Sequence, residues 1–243
     1  MKDWSIVGLA IEIGTVTRID LPHPREANYE MTILDSSDLC RVMELQQIVI
    51  KGLSTPELFE PCSTEFIEMH LRRGGHLLGV TVEGELIAFY MMLFPGMSED
   101  SLGLDLKLQE SDLVKVAHLE VVAVHPSYRG NGIQRRIQSH LLRIAQETSH
   151  SHVCATVSIM NYPSLSNYLK DDFTIRALKE KYGNKMRYIL YRDLRSSGPS
   201  KPQSIVRIMN VEVEEQREAL AQDYIGFCAV GNSTNLFEVL YGK

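Results

Sequence analysis

Apolar and polar residues follow two different spacings along this chain, and each spacing predicts a different kind of element. Runs rich in β-branched and aromatic residues indicate strands, whereas apolar residues three and four positions apart indicate helices. The predicted strands are 29–34, 77–82, 86–94, 116–124, 153–159, 175–178 and 187–194. The predicted helices are 35–50, 132–147 and 164–171, with shorter helices beginning near Pro56 and at Ser63 or Thr64.

Strands and helices alternate in the centre of the chain, and hairpins are predicted outside that centre. Glu83-Gly84-Glu85, for example, separates two apolar runs and is a hairpin signal. This order predicts an α/β protein with three layers, α/β/α, around a mixed and mostly antiparallel central sheet.

Both ends of the chain carry segments outside this central pattern. Residues 5–19 are strand-like, and Ser196-Ser197-Gly198-Pro199-Ser200-Lys201-Pro202 has the composition of a linker. A strand at 205–213, a helix at 214–223 and two further strand-like runs follow, and we expect the two flanks to form one small sheet together. The expected organisation is an N-terminal extension (1–28), a main domain (29–195), and a linker with a small C-terminal α/β extension (196–243).

Composition excludes several classes of function. A net charge of −6 without a Lys/Arg-rich block gives no electrostatic reason to bind nucleic acid. The longest apolar run, 86–94, is too short to cross a bilayer, and the N-terminus is a poor signal peptide. The four cysteines contain no Cys-x-x-Cys pair and indicate free thiols. We therefore expect a cytoplasmic protein without a membrane or nucleic-acid partner.

Residues 120–134 are the stretch with the clearest chemical meaning. The apolar strand 121–124 leads through the loop 125–128 to Arg129-Gly130-Asn131-Gly132, and a helix is predicted directly behind it. A helix N-terminus offers unpaired N–H groups and the positive end of a dipole, which suits phosphate. Glycines would let a diphosphate approach these amides. The loop taken alone is equally compatible with a simple tight turn.

Arg129-Gly130-Asn131-Gly132-Ile133-Gln134 resembles the acetyl-CoA-binding motif of the GNAT acetyltransferase superfamily, Arg/Gln-x-x-Gly-x-Gly/Ala. Gln134 departs from it, because the last position is usually small. A second segment, 161–173, resembles the GNAT pattern Asn-x-x-Ala-x-x-x-Tyr-x-x-x-Gly-Phe. Asn161, Tyr168 and Phe173 are in register, Ser164 stands for the small residue and Asp172 replaces the glycine. The resemblance covers about 29–194.

The resemblance implies acetyl-CoA as the cofactor. The loop amides would hold its diphosphate, and the backbone of the strand before the loop would pair with the pantetheine arm as an added strand does. Arg135 and Arg136 would reach other phosphates, or would simply form a solvated helix face. The cofactor-binding residues implied in this way are Val122, Ala123, Val124, Arg129, Gly130, Asn131, Gly132, Ile133, Gln134, Arg135, Asn161 and Ser164.

The same resemblance implies catalytic residues, each with a structural alternative. Tyr168 matches a general acid that protonates the departing thiolate, because a phenol with a pKa of about 10 is protonated at neutral pH; otherwise it is a packed helix residue. Glu120, five residues before His125, is the candidate base, and its alternative is a buried salt bridge. His118 shares its strand face and would assist Glu120, or be a satisfied core histidine. No third ligand makes this pair a metal site.

We therefore expect direct transfer of an acetyl group to an amine of a small molecule, with a peptide N-terminus or a lysine left open as acceptors. The connection 95–113 carries five acidic side chains and is either an acceptor lid or a solvated loop. Gln134 and Asp172 favour the alternative of a CoA-binding module without catalysis. A homodimer formed through the flanks is a further alternative.

Overall fold

A computed structural model describes residues 8–196, 198, 201–231 and 236–243. The strands are β1 (Ala10–Arg18), β2 (Arg25–Leu34), β3 (His76–Val82), β4 (Glu85–Leu93), β5 (Val116–Val124), β6 (His152–Ser158), β7 (Thr174–Lys181), β8 (Lys185–Asp193), β9 (Ile205–Met209), β10 (Ile225–Val230) and β11 (Glu238–Gly242). The helices are α1 (Leu39–Lys51), α2 (Thr64–Arg72), α3 (Leu102–Asp105), α4 (Glu110–Leu113), α5 (Ile133–Glu147), α6 (Tyr162–Leu169) and α7 (Val213–Ala221). This is the mixed α/β, mostly antiparallel fold that the pattern predicts.

The described chain divides into two compact units. Unit one consists of residues 8–56, 60–94 and 119–148, and unit two of residues 57–59, 95–118 and the described part of 149–243. None of the described helices combines the length and the apolar character that crossing a bilayer requires.

Unit one is built on the antiparallel strands β1, β2, β3 and β4, in that order. Eight of the nine residues of β4 are buried, as expected for a strand covered on both faces. Helices α1 and α5 both pack on β4 and provide that cover. The β3–β4 turn confirms the hairpin signal, since Glu83 (φ +50°) and Gly84 (φ +84°) both have the left-handed conformation of a two-residue loop.

Capping residues in the sequence predicted the start of α2 correctly, and apolar spacing predicted the start of α1 to within a few residues. Ser63 is the residue that caps α2, because its hydroxyl accepts a hydrogen bond from the Phe66 N–H at 3.2 Å. The predicted helix 35–50 begins instead as a short 3₁₀ turn, Ser36–Asp38, which Asp35 caps before α1 starts.

Unit two has the strand order β6-β8-β7-β10-β11-β9. Strands β7 and β8 form the predicted closing antiparallel pair. The C-terminal extension continues this sheet: β10 pairs with β7 and β11, and β11 pairs with β9. The strand expected at 205–213 ends at Met209, because α7 already begins at Val213.

The expectation that the two flanks share one small sheet is wrong. Among the described strands, β1 pairs with β2 alone, whereas the C-terminal strands pair with one another and with β7. Part of the predicted strand 5–19 lies outside the described residues. Alternating apolar residues indicate that a segment is a strand, but they do not specify its partner.

The segment 95–113 is more ordered than a polar connection. It contains α3 and α4, and Leu102 and Leu113 are buried. Leu102 belongs to an apolar cluster with Val116, Cys154 and Ile189. The apolar residues of the segment therefore serve the core of unit two.

Candidate active site

The predicted diphosphate loop lies in unit one, between β5 and α5. After Val124 the chain makes a 3₁₀ turn, Pro126–Tyr128, and Gly132 then caps α5. The first bond of the helix runs from the Arg136 N–H to the Gly132 carbonyl at 3.1 Å. The amides of the three preceding residues therefore have no acceptor within the helix and point out of its N-terminus.

Gly130 and Gly132 fit the requirements of a diphosphate site. Their φ angles are +80° and +71°, a conformation that favours glycine because it lacks a Cβ. A Cβ built on either glycine would meet no atom within 4 Å, so open space lies over the backbone here. The glycines are thus needed for the loop conformation itself, and no Cβ at these two positions covers the backbone that an anion would approach.

The side chains around the loop divide into anchored and solvent-facing ones. The Asn131 carboxamide bonds to the backbone of Thr17 and Tyr128. The Arg136 side chain extends towards β1, where its Nη1 lies 3.6 Å from the Glu12 carboxylate. Arg135 is exposed, whereas Gln134 is half-buried.

In β5, the strand before the loop, buried and half-buried residues alternate from Glu120 to Val124. Val121 and Ala123 are buried, while Glu120, Val122 and Val124 are half-buried. A strand with this alternation has one face in the core and one face turned to less buried surroundings. Glu120 and Val122 thus lie on the less buried face.

Cys62 is a neighbour of Glu120 that sequence reasoning missed. Burial and the nearby Glu120 and Glu60 carboxylates raise the pKa of the Cys62 thiol to about 12. Gln46 of α1 fixes this cysteine through two backbone bonds, accepting from the Cys62 N–H at 2.9 Å and donating to its carbonyl at 3.0 Å. No spacing rule connects positions 62 and 120, so only the fold reveals this pair.

His118 lies in β5, buried within unit two. Its Nε2 accepts a hydrogen bond from the Leu102 N–H at 3.0 Å, which places the ring proton on Nδ1. His118 therefore supports the N-terminus of α3. Within the described residues, no group of His, Cys, Asp and Glu side chains is arranged to hold a metal ion.

Asn161 caps α6 in unit two. Its Oδ1 accepts from the Ser164 N–H at 3.1 Å, and its Nδ2 donates to the Leu58 carbonyl at 3.1 Å. These two bonds are the ones expected of a helix-capping turn residue, and they leave the second N–H of the Asn161 side chain for a further partner. Ser164 is half-buried in the first turn of the helix.

Tyr168 is 2% exposed and packs on Phe173, with the ring centroids 5.0 Å apart in an edge-to-face arrangement. Between them, Asp172 has a φ of +59°. The left-handed conformation at this position explains why a glycine is usual here, and aspartate is among the residues that tolerate it. Arg192 Nη2 lies 3.6 Å from the Asp172 carboxylate. The departure from the pattern thus leaves the backbone conformation intact.

Several solved acetyltransferases have a fold similar to that of this chain. An N-acetyltransferase from Staphylococcus aureus is 15% identical, with a TM-score of 0.52 over 69% of this chain and 99% of its own. A Salmonella typhimurium protein assigned as an acetyltransferase, solved with its cofactor acetyl-CoA, is 16% identical, with a TM-score of 0.53 over 71% of this chain and 98% of its own. A ribosomal-protein-alanine N-acetyltransferase from Brucella melitensis is 17% identical, with a TM-score of 0.51 over 68% and 99%.

Family assignment rests on the sequence match, because identities this low establish only the fold. No curated protein matches the chain significantly. The family model described as "Acetyltransferase (GNAT) family" matches residues 43–173, which is more than half of the chain. The chain therefore belongs to the GNAT acetyltransferase family.

Proposed function

We propose that the protein is an acetyl-CoA-dependent N-acetyltransferase that transfers the acetyl group directly from the thioester to an amine. The observation that carries the proposal is the pair of left-handed glycines, Gly130 and Gly132, with open space above them at the N-terminus of the 15-residue helix α5. This arrangement presents several amides to one anion. Family membership supports acetyl-CoA as the group that brings the anion there.

Most of the residues that would hold the cofactor belong to two stretches of unit one. The amides of 129–134 would bind the diphosphate, and the backbone of 122–124 would pair with the pantetheine arm. When bound, acetyl-CoA supplies the activated acyl thioester. Arg135, exposed on α5, would add a charge for the outer phosphates. In unit two, Asn161 retains the amide N–H with which it would orient the pantetheine, and Ser164 provides the small neighbour.

Glu120 is the proposed general base. It is a half-buried carboxylate on the less buried face of β5, which suits a group that must take a proton from an incoming amine directly or through water. The bond from Leu102 favours the alternative of a satisfied core histidine for His118. The proposal accordingly places the base role on Glu120.

Tyr168 is the proposed general acid. Its phenol would protonate the departing thiolate, and its edge-to-face contact with Phe173 would keep the ring in one orientation. The burial of the phenol is also the observation that favours the second candidate function, a CoA-binding module without catalysis, because a proton donor must reach the sulfur.

A small-molecule amine is the proposed acceptor. The acidic segment 95–113 presents less negative charge to a cationic substrate than its composition indicates, because two of its carboxylates are in ion pairs. Lys179 lies 2.8 Å from the Asp105 carboxylate, and Lys115 lies 3.0 Å from the Asp112 carboxylate. Glu99 and Asp100 remain exposed and would provide the attraction. A cytoplasmic location is part of the same proposal, because all four cysteines are free thiols.

Calorimetric titration with acetyl-CoA, desulfo-CoA and adenosine diphosphate tests the cofactor site directly. We expect all three to bind, because all three carry the diphosphate. An absence of binding at millimolar concentration would remove the proposal.

A panel of amines, assayed by release of free thiol, then separates the two candidate functions. Turnover that Glu120→Gln abolishes and Tyr168→Phe reduces, with cofactor affinity unchanged in both variants, supports catalysis. Tight acetyl-CoA binding without turnover on any amine class, peptide N-termini included, supports the non-catalytic module.

A further inference from the structure

The strand β1 carries backbone groups that β2 does not use. Among the described strands it pairs with β2 only, so it is an edge strand of unit one. The side chain of Asn131 occupies the open side at Thr17. The Thr17 N–H donates to Asn131 Oδ1 at 2.8 Å, and Asn131 Nδ2 donates to the Thr17 carbonyl at 2.8 Å. One carboxamide thus makes the same pair of bonds that a residue of a neighbouring strand would make.

The contact continues along the diphosphate loop. Asn131 Nδ2 also donates to the Tyr128 carbonyl at 2.9 Å, and the Ile19 N–H donates to the Ser127 carbonyl at 2.8 Å. The end of β1 therefore bonds to the loop at its 3₁₀ turn and again at the residue between the two glycines.

The same strand also holds the helix that follows the loop. The Glu12 carboxylate lies 2.6 Å from His140 Nε2 and accepts a hydrogen bond from the Tyr29 hydroxyl. Arg143 in turn lies 2.7 Å from His140 Nδ1, so His140 donates from Nε2 to Glu12. Both the loop and α5 are therefore tied to β1.

Anchoring matters at this point because of the residues that flank Asn131. Glycine loses more conformational freedom on ordering than any other residue, and Asn131 stands between two of them. A loop that is free to move would lose that entropy when it binds an anion, and affinity would fall accordingly. A loop already ordered by Asn131 avoids this loss.

We propose that β1 is part of the cofactor site and that Asn131 is a positioning residue. Its side chain orders the amides of 129–134 through Thr17 and Tyr128, and does not itself contact the cofactor. This inference rests on the proposed function, namely that the loop binds the diphosphate of acetyl-CoA. It also gives the N-terminal extension a role.

The test compares Asn131→Ala with Asn28→Ala in the full chain. Asn28 lies on the same hairpin, opposite Thr15, and is exposed. We expect Asn131→Ala to weaken both acetyl-CoA and adenosine diphosphate by about tenfold or more, which corresponds to 1.4 kcal/mol per factor of ten. The KM for acetyl-CoA should rise in proportion while kcat at saturation stays unchanged, and Asn28→Ala should behave as the unmodified protein.

Thr17→Pro provides an independent variant. It removes the N–H that donates a hydrogen bond to Asn131 Oδ1. Proline is tolerated on an edge strand at a position where the N–H faces outward. Its effect on the dissociation constant should be smaller than that of Asn131→Ala. The two effects should also be non-additive when combined, because they remove one shared contact.

Hydrogen exchange of the ligand-free variants separates this inference from the proposed function. Faster exchange at 17–19 and 129–134 in Asn131→Ala, together with weaker binding, supports the inference. Unchanged exchange would show that the contact does not order the loop, and faster exchange with unchanged affinity would show that the ordering does not serve the ligand. If the unmodified protein binds neither ligand, the proposed function itself is refuted, whatever the exchange data show.

Discussion

Replacing Gln216 with leucine should strongly destabilise the C-terminal extension. Gln216 of α7 is fully buried. Its Oε1 accepts from the Tyr188 hydroxyl at 2.8 Å and from the Tyr241 hydroxyl at 2.7 Å, and its Nε2 donates to the Asn210 carbonyl at 2.9 Å. One side chain thus joins α7 to β8, to β11 and to the loop after β9.

The magnitude follows from counting the groups that lose a partner. Leucine is apolar and one atom shorter than glutamine, and it leaves two phenols and one carbonyl in the interior without the hydrogen bonds that Gln216 makes. Each such group costs about 1–3 kcal/mol, so the free energy of unfolding should fall by at least about 3 kcal/mol. For a chain of this length, a loss of about 3 kcal/mol lowers the Tm by at least about 6 °C.

Urea unfolding followed by circular dichroism measures the loss, with Gln222→Leu as a control, because Gln222 is exposed just after the same helix. The triple variant Gln216→Leu, Tyr188→Phe and Tyr241→Phe should recover most of the stability. Removing both members of a buried bond is nearly neutral, whereas removing one is costly. If the triple variant is less stable than Gln216→Leu alone, unsatisfied polar groups are not the cause and the reasoning is wrong.

Three further predictions concern single positions. Asp172→Gly should change the free energy of unfolding by no more than about 1 kcal/mol, because the relief of backbone strain at a φ of +59° offsets the loss of the ion pair with Arg192. Asp172→Val should lower the free energy of unfolding clearly, because a β-branched residue does not tolerate this φ. Gly132→Ala should cost about 1 kcal/mol of stability through its φ of +71° and should also weaken acetyl-CoA binding in a titration. Cys62, with its thiol pKa near 12, should react with iodoacetamide more slowly than exposed Cys40 at pH 8, and Glu120→Gln should speed that reaction by removing a charge that opposes the thiolate.

Short-range signals account for the parts of the fold that were predicted correctly. β5 has the bounds that its apolar run predicts, and Ser63 begins α2 where a capping residue should. The strand, loop and helix around the two glycines were predicted for the same reason, since the end of the strand, the glycines and the start of the helix lie within about fifteen consecutive residues. Each of these features depends on neighbours in sequence, which a single chain displays directly.

Features that join distant segments were missed for the opposite reason. Thr17 and Asn131 are 114 positions apart, and Gln46 lies on α1 whereas Cys62 lies in the loop before α2. A carboxamide that pairs with a backbone looks in sequence like any other polar residue. In the segment 95–113, the five acidic side chains outweighed Leu102 and Leu113, which the structure buries. The predicted strand at the N-terminus was correct in kind, but its partner was not.

Departures from a family pattern carry different meanings once the backbone is known. Asp172 replaces a glycine, yet it keeps the left-handed conformation, so this departure is no argument against the fold of the segment before Phe173. Gln134 is different, because it is half-buried within the first turn of α5, next to the amides proposed to bind the diphosphate. Whether the loop binds the diphosphate therefore depends on how much space the Gln134 side chain leaves. If Gln134→Ala increases acetyl-CoA affinity, the glutamine restricts the loop; if affinity is unchanged, its bulk lies clear of the anion and the backbone alone determines binding.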